Sequence, residues 1–231
     1  MRTSKQRAKH IRSINLILAS DSYKVTHWSQ FPEGLDTSVY YIESRGGKYD
    51  EVTVGGLRYV CEVLEASPIT WEDYEEAEEI LTPHLGGEYW NAKGWQAIIE
   101  EFDGKLPLEI KVAPEGLIVP THNVIASIRS TDPKFDLNGR FAWVPGYLEG
   151  MTLQNAWYGS TVATHSRECL KVIHEYMVKT SDNMEKLPFM LHDFGFRGVS
   201  SNESSATGGY AHLLNSLGTD NLPALGLIRH M

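Results

Sequence analysis

The chain has 231 residues, 42% of them apolar and 22% charged, which is enough to bury a real core in one large domain or two small ones. Its 21 basic and 30 acidic side chains leave a formal net charge of −9, and this argues against a general nucleic-acid binder, because phosphate affinity is built from clustered cations. No apolar run reaches the length of a membrane span, and the early run at 14–19 is too short for a signal-peptide core.

The first thirteen residues carry Arg2, Lys5, Arg7, Lys9 and Arg12 and no acid. Such a segment can touch nucleic acid or an anionic surface, but a basic flexible tail over 1–13 is the plainer expectation. Residues 14–19 are short and apolar, fit for a strand or a first helical turn, with Asp21 and Ser22 as turn or cap residues. Thr37 to Glu43 is β-branched and aromatic, which predicts a strand ended by Gly46-Gly47. Leu57, Val60, Cys61 and Leu64 recur at helical spacing. A helix is predicted over 70–81, capped by Thr70 and stopped by Pro83, with Trp71, Tyr74 and Ile80 on one face and a solvated acidic face opposite. Another is predicted over 92–102, ending near Gly104.

The period then changes. Leu106, Leu108, Ile110 and Val112 alternate, and 123–129 is rich in Val and Ile, which predicts two strands around a turn at Pro114-Glu115-Gly116. Two helices are expected over 151–158 and 161–179, the second with Val162, Ser166, Cys169, Leu170, Ile173, Tyr176 and Met177 on one face. After a strand-like approach at 188–192, residues 200–217 read as a helix with Gly218 as its C-cap. Residues 221–231 read as a further helix with Pro223 in its first turn, stopping mid-pattern as if the chain continued. Strands and helices are mixed, so the class is α/β or α+β. Cys61 and Cys169 lie far apart without metal-ligand spacing, the pattern of two buried thiols in a reduced, cytoplasmic compartment.

Four clusters carry chemistry by residue type. Asp21-Ser22-Tyr23-Lys24-Val25-Thr26-His27 follows an apolar run, where α/β sites often lie, although a capped helix start explains it as well. Arg45 in Glu43-Ser44-Arg45-Gly46-Gly47 suits an oxyanion in a loop that lets the backbone approach; a surface turn is the alternative. His192-Asp193-Phe194-Gly195-Phe196-Arg197-Gly198 is the densest. Phe194 offers a flat face to a ring and Arg197 can hold an anion; the structural alternative is a loop closed by an Asp193–Arg197 ion pair. Asp220, after Gly218-Thr219, can accept a hydrogen bond from a ligand or simply cap the last helix. The Rossmann, Walker, nucleophile-elbow and zincin signatures are missing, and His165 and His174 suggest no metal site.

These clusters, with Lys93-Gly94-Trp95, Pro114-Glu115-Gly116, Thr161-Val162-Ala163-Thr164, Ser166-Arg167-Glu168 and the longer run from Leu191 to Ser201, keep their order and spacing over residues 14–231. In this they resemble the N-terminal half of the nicotinamide phosphoribosyltransferase family. The resemblance implies transfer of phosphoribosyl from 5-phosphoribosyl 1-pyrophosphate to nicotinamide, giving nicotinamide mononucleotide and pyrophosphate, with Mg²⁺ and with ATP as an optional driver. It implies a homodimer whose active site sandwiches the pyridine ring between Phe194 and Tyr23 of the partner subunit. Arg197 and the partner subunit's Arg45 would hold phosphate, and Asp220 would face the carboxamide. It also implies a fold: an N-terminal α/β domain over 14–187, then over 188–231 the start of an incomplete phosphoribosyltransferase α/β barrel, poorly stable alone. No catalytic residue or metal ligand is assigned in this chain, because the phosphorylated histidine and the acidic ribose-binding residues would lie beyond Met231. Ser44 replaces the family's usual Cys, Phe196 its frequent Tyr, and the 46–54 loop is shorter than in animal members. A complementing C-terminal half is one expected partner. A non-catalytic nicotinamide-binding or dimerisation module is the alternative reading.

Overall fold

A computed structural model describes residues 14–32, 34–87, 89–131 and 140–231; the expected basic tail over 1–13 lies outside them. Strands and helices are mixed, as expected, and no closed barrel forms among the described residues. The chain packs as two units, one from the described parts of 1–42, 61–111 and 126–153, the other from 43–60, 112–125 and 154–231.

The first unit is organised by aromatic side chains. A 3-10 helix, Ser22–Gln30, precedes strand β1, Val39–Glu43. The run at 14–19 forms turns instead of a strand, because its backbone is tied locally and by side chains: the Ile17 N–H donates to Asn15 Oδ1, and the buried Tyr147 hydroxyl donates to the Ile17 carbonyl at 2.5 Å. Helix α1, Leu57–Ala66, has the expected spacing. Helix α2, Trp71–Leu85, starts at a complete capping box: the Asp73 N–H donates to Thr70 Oγ1, and the Thr70 N–H donates to the Asp73 carboxylate. Pro83 does not stop it. A proline in the last turn forfeits a single hydrogen bond, and the helix runs on to Gly86, whose φ of 83° ends it. Its inner face is Tyr74, Ala77 and Leu81, while Trp71 and Ile80 are exposed, since only the 3–4–7 spacing of the former set shares one stripe.

Helix α3, Ala92–Phe102, matches its expected bounds and ends in left-handed Asp103. It buries Trp95 edge-on to Trp143 and Tyr147, at ring distances of 4.7 and 5.0 Å. Strand β3 is Leu108–Val112, β4 Ile118–Pro120 and β5 Val124–Ser130. Strand β5 is central in a three-stranded sheet ordered β1-β5-β3. A short helix, α4 (Val144–Tyr147), precedes the long helix α5, Glu149–Thr180.

Helix α5 is continuous where two helices were expected. The Gly159-Ser160 pair that reads as a break is instead a contact. A Cβ on Gly159 would sit 2.7 Å from the Gly55 carbonyl atoms and the Gly56 nitrogen, so glycine lets the helix touch backbone. Ser160 Oγ and Thr164 Oγ1 then accept from the N–H groups of Gly55 (3.1 Å) and Thr53 (2.9 Å). The buried face of this stretch is Ala163, Thr164, Ser166 and Arg167, with Met177 further on; Tyr176 is exposed. Neither cysteine is in a disulfide, and both are half-buried, not fully buried. Strands β2 (Glu51–Thr53) and β4 pair antiparallel, Val52 opposite Val119; β4 escaped notice because three residues ending in proline carry no periodic signal.

The last part is a β–α–β–α unit: β6 (His192–Asp193), α6 (Asn202–His212), β7 (Gly218–Thr219) and α7 (Leu222–Ile228). A 3-10 helix over Met184–Phe189 stands where a strand-like approach was expected. Gly218 caps nothing. It lies in β7, where a Cβ would meet the Leu191 carbonyl oxygen at 2.7 Å and the His192 ring at 2.6 Å. No helix among the described residues is long and apolar enough to cross a membrane.

Candidate functional site

Strands β6 and β7 pair in parallel, His192 opposite Gly218 and Asp193 opposite Thr219. A parallel pair needs a crossover, and α6 supplies it. The residue after each strand is therefore Phe194 in one case and Asp220 in the other, both at the carboxyl ends of the strands, where ligands bind in open α/β sheets. The Asp220 N–H donates to the Asp193 carbonyl at 3.0 Å, extending the ladder by one rung.

A polar lattice holds these strand ends. One Asp193 oxygen accepts from the Gly195 N–H at 2.7 Å, which turns the chain into the 3-10 turn Gly195–Arg197. The other accepts from Asn221 Nδ2 at 2.8 Å. Asn221 is 1% exposed, and its amide also donates to the Ser205 carbonyl and accepts from the Ser205 hydroxyl. A buried primary amide with its bonds satisfied fixes the distance between α6 and the strand ends. Asp193 is thus a bracket for Gly195 and Asn221, and the Asp193–Arg197 ion pair of the structural alternative does not form among the described residues. Beneath β7, His212 Nε2 donates to the Gly218 carbonyl at 2.8 Å, so in the neutral ring Nδ1 accepts from the Ser166 hydroxyl at 2.7 Å. Burial, reinforced by the charge of Asp193, pushes the Tyr158 hydroxyl above its ordinary value; it donates to the Ser204 carbonyl.

Phe194 is 67% exposed, and its ring lies nearly parallel to His192, with centroids 6.2 Å apart and planes 25° apart. Asp220 does not cap α7, whose N-cap is Asn221. Its carboxylate accepts from His192 Nδ1 at 2.8 Å, and the side chain remains 48% exposed. Arg197 is exposed on the turn after Phe194. These three residues gather at one end of the β6–β7 pair. A cleft of about 520 Å³ in the same unit has a hydroxyl-rich wall of Ser200, Ser201, Ser204 and Thr207, with Trp157 and Glu203 beside it.

Arg45 is exposed in the second unit, in a loop whose Ser44 carbonyl accepts from the His122 N–H at 2.8 Å. Tyr23 belongs to the first unit, 58% exposed, its ring against His27 and the Lys24 ammonium. Lys24 is buried and paired with Glu149. The described residues form no group of three His, Cys, Asp or Glu able to hold a metal ion.

Sequence reasoning placed His192 in a cluster without a role and did not single out Asn221 or Ser205. The first had a signal, an imidazole two residues before an exposed aromatic. The other two act through tertiary hydrogen bonds that no local pattern announces. Glu115 was read only as part of a turn. Its carboxylate accepts from the N–H groups of Gly56 (3.1 Å) and Arg58 (2.8 Å), capping α1 from a distant loop.

Residues 15–110 match the family model described as the nicotinamide phosphoribosyltransferase N-terminal domain, and residues 189–229 match the nicotinate phosphoribosyltransferase (NAPRTase) family model. A nicotinamide phosphoribosyltransferase of Xanthomonas campestris is 47% identical over 93% of this chain and 44% of its own length. One from Acinetobacter baylyi is 27% identical over 92% of this chain and 44% of its own, and one from Mycoplasma genitalium 24% identical over 89% and 49%. The chain thus spans less than half the length of these curated relatives. The crystal structure of human nicotinic acid phosphoribosyltransferase superimposes with a TM-score of 0.60 at 17% identity, covering 91% of this chain and 37% of that one, a likeness of fold. Over the residues matched, the chain is similar to the N-terminal part of nicotinamide phosphoribosyltransferases.

Proposed function

We propose that this chain forms the base-recognising part of a nicotinamide phosphoribosyltransferase, acting in pyridine-nucleotide salvage in the cytoplasm. The reaction moves phosphoribosyl from 5-phosphoribosyl 1-pyrophosphate to nicotinamide and releases pyrophosphate. The observation that carries the reading is the emergence of Phe194 and Asp220 side by side from a parallel strand pair, in a chain 47% identical to a relative of that name.

Each residue then has a task suited to its chemistry. Phe194 presents a free aromatic face to the electron-poor pyridine ring, and Tyr23 of a second copy covers the other face. An ionised Asp220 accepts from the carboxamide NH₂ and repels a carboxylate, which selects nicotinamide over nicotinate. Arg197 and the second copy's Arg45 hold phosphate, and the hydroxyl-rich wall beside Ser200 and Ser201 suits a sugar phosphate. The pyridine nitrogen is already a nucleophile, so the chain's work is positioning: ring plane, amide orientation and exclusion of water. The homodimer, Mg²⁺ and ATP belong to the same proposal. The described residues do not by themselves form a Mg²⁺ cage.

Turnover tests the reading. The chain is assayed for nicotinamide mononucleotide with nicotinamide, 5-phosphoribosyl 1-pyrophosphate and Mg²⁺, alone and with the C-terminal portion of the Xanthomonas relative added as a separate polypeptide. Product that is lost in Phe194→Ala and Asp220→Ala is the expected result. No product in either mixture, with the unaltered chain folded, refutes it and leaves the binding-module alternative.

A further inference from the structure

We propose that His192 is a positioning residue of this site, holding the Asp220 carboxylate in the orientation that meets a carboxamide. The inference rests on the nicotinamide reading above and adds a residue to it.

Three independent contacts fix the His192 ring. At its Cδ2–Nε2 edge is Gly218, the residue opposite His192 in the strand pair, where any side chain would collide with the ring carbon Cδ2 and with Nε2, at 2.6 and 2.9 Å. Beside it Nδ1 lies 2.8 Å from Asp220 Oδ2. The Phe194 ring lies nearly parallel to it, with centroids 6.2 Å apart. A ring held on three sides cannot rotate without losing one of these contacts.

The chemistry of the pair is then determined. A carboxylate only accepts, so Nδ1 carries the proton, whether the ring is neutral or charged. The bond engages Oδ2, and Oδ1 has no hydrogen bond among the described residues. One oxygen is thereby tied down and the other is presented at the strand end, in the half-exposed setting of Asp220. A carboxylate fixed before the ligand arrives loses no rotamer freedom on binding, which is how preorganisation raises affinity. The same imidazole backs the Phe194 ring, so a single side chain sets the geometry of both recognition elements.

Two substitutions separate the donor from the ring. His192→Asn keeps an N–H donor near the position of Nδ1 and removes the ring; His192→Phe keeps a ring over Gly218 and removes the donor. Nicotinamide and nicotinate are titrated into the unaltered chain and both variants by calorimetry, and ¹⁵N correlation spectra report which nitrogen of His192 is protonated. The expected result is a Nδ1-protonated ring that reverts to the Nε2–H form in Asp220→Ala. Nicotinamide affinity should fall about tenfold or more in His192→Phe, as for loss of a charge-assisted hydrogen bond. It should stay within about threefold of the unaltered chain in His192→Asn, a factor set by that same bond being retained. The preference for nicotinamide over nicotinate should shrink in His192→Phe alone. Unchanged affinity in His192→Phe, equal loss in both variants, or a ring without a proton on Nδ1 in the unaltered chain overturns the proposal. Failure of the unaltered chain to bind nicotinamide overturns the reading beneath it, and that shows in the control before any variant is compared.

Discussion

Gly159→Ala is the sharpest test of the packing, because two general expectations collide there. In a helix interior alanine is better than glycine by about 1 kcal/mol, so propensity alone predicts stabilisation. The structure predicts the reverse. The new Cβ would lie 2.7 Å from the Gly55 carbonyl carbon and oxygen and from the Gly56 nitrogen, and backbone atoms cannot rotate aside. Overpacking of this kind costs about 1–3 kcal/mol. The shift that relieves it would stretch the bonds from Gly55 to Ser160 and from Thr53 to Thr164, losing about 1 kcal/mol more. Set against the propensity gain, the net loss is about 2 kcal/mol. Gly226 in α7 is the control, since its Cβ would meet no atom within 4 Å, and alanine there should gain up to about 1 kcal/mol. Urea unfolding followed by far-ultraviolet circular dichroism, with equal slopes required across variants, measures both. If Gly159→Ala is as stable as Gly226→Ala, the close helix–backbone contact is not a constraint and the account of the unbroken helix is wrong.

Two further outcomes follow from buried polar groups. Burial raises the Tyr147 hydroxyl well above its ordinary value near 10; Tyr59 is raised by burial and its hydrogen bond to Glu203, Tyr210 by burial and the charge of Glu115. Above pH 10 the unfolded chain gives up these protons while the folded chain keeps them. Their stability contribution is therefore complete below pH 10 and is lost as pH rises beyond it, at up to about 1.4 kcal/mol per pH unit for each group. Unfolding free energies at pH 8 to 11 should show that decline, and the 295-nm phenolate signal of these tyrosines should rise only with unfolding. Glu115→Ala, which removes the cap on α1, should cost about 1–3 kcal/mol, with Glu115→Gln intermediate because one carbonyl oxygen remains to accept; thermal melts of the two variants decide it.

What could be read from the sequence followed from local physics. The helix at 92–102 announced itself by its stop near Gly104, and the start of α2 by Thr70, because helix ends are written within a few residues. Gly159 and Gly218 misled for one reason: a glycine that permits close approach looks the same in sequence as a glycine that ends an element. Phe194 and Asp220 were legible as a pair only through the order of several motifs, since 26 positions part them in the chain and a strand pairing joins them. The lattice of Asp193, Asn221 and Ser205 was not legible at all, because each bond depends on where α6 docks.

The parallel strand pair has a kinetic side as well. The contacts that assemble the site, His192 to Asp220 and Asp193 to Asn221, each close over only 28 residues. The bond that ties the first unit together, Tyr147 to Ile17, closes over 130. On loop length alone the longer closure costs about 1.4 kcal/mol more entropy, and low sequence separation favours early formation. During synthesis, then, Phe194 and Asp220 meet within one short stretch of emerging chain, whereas Tyr147 must reach back across most of what has already been made.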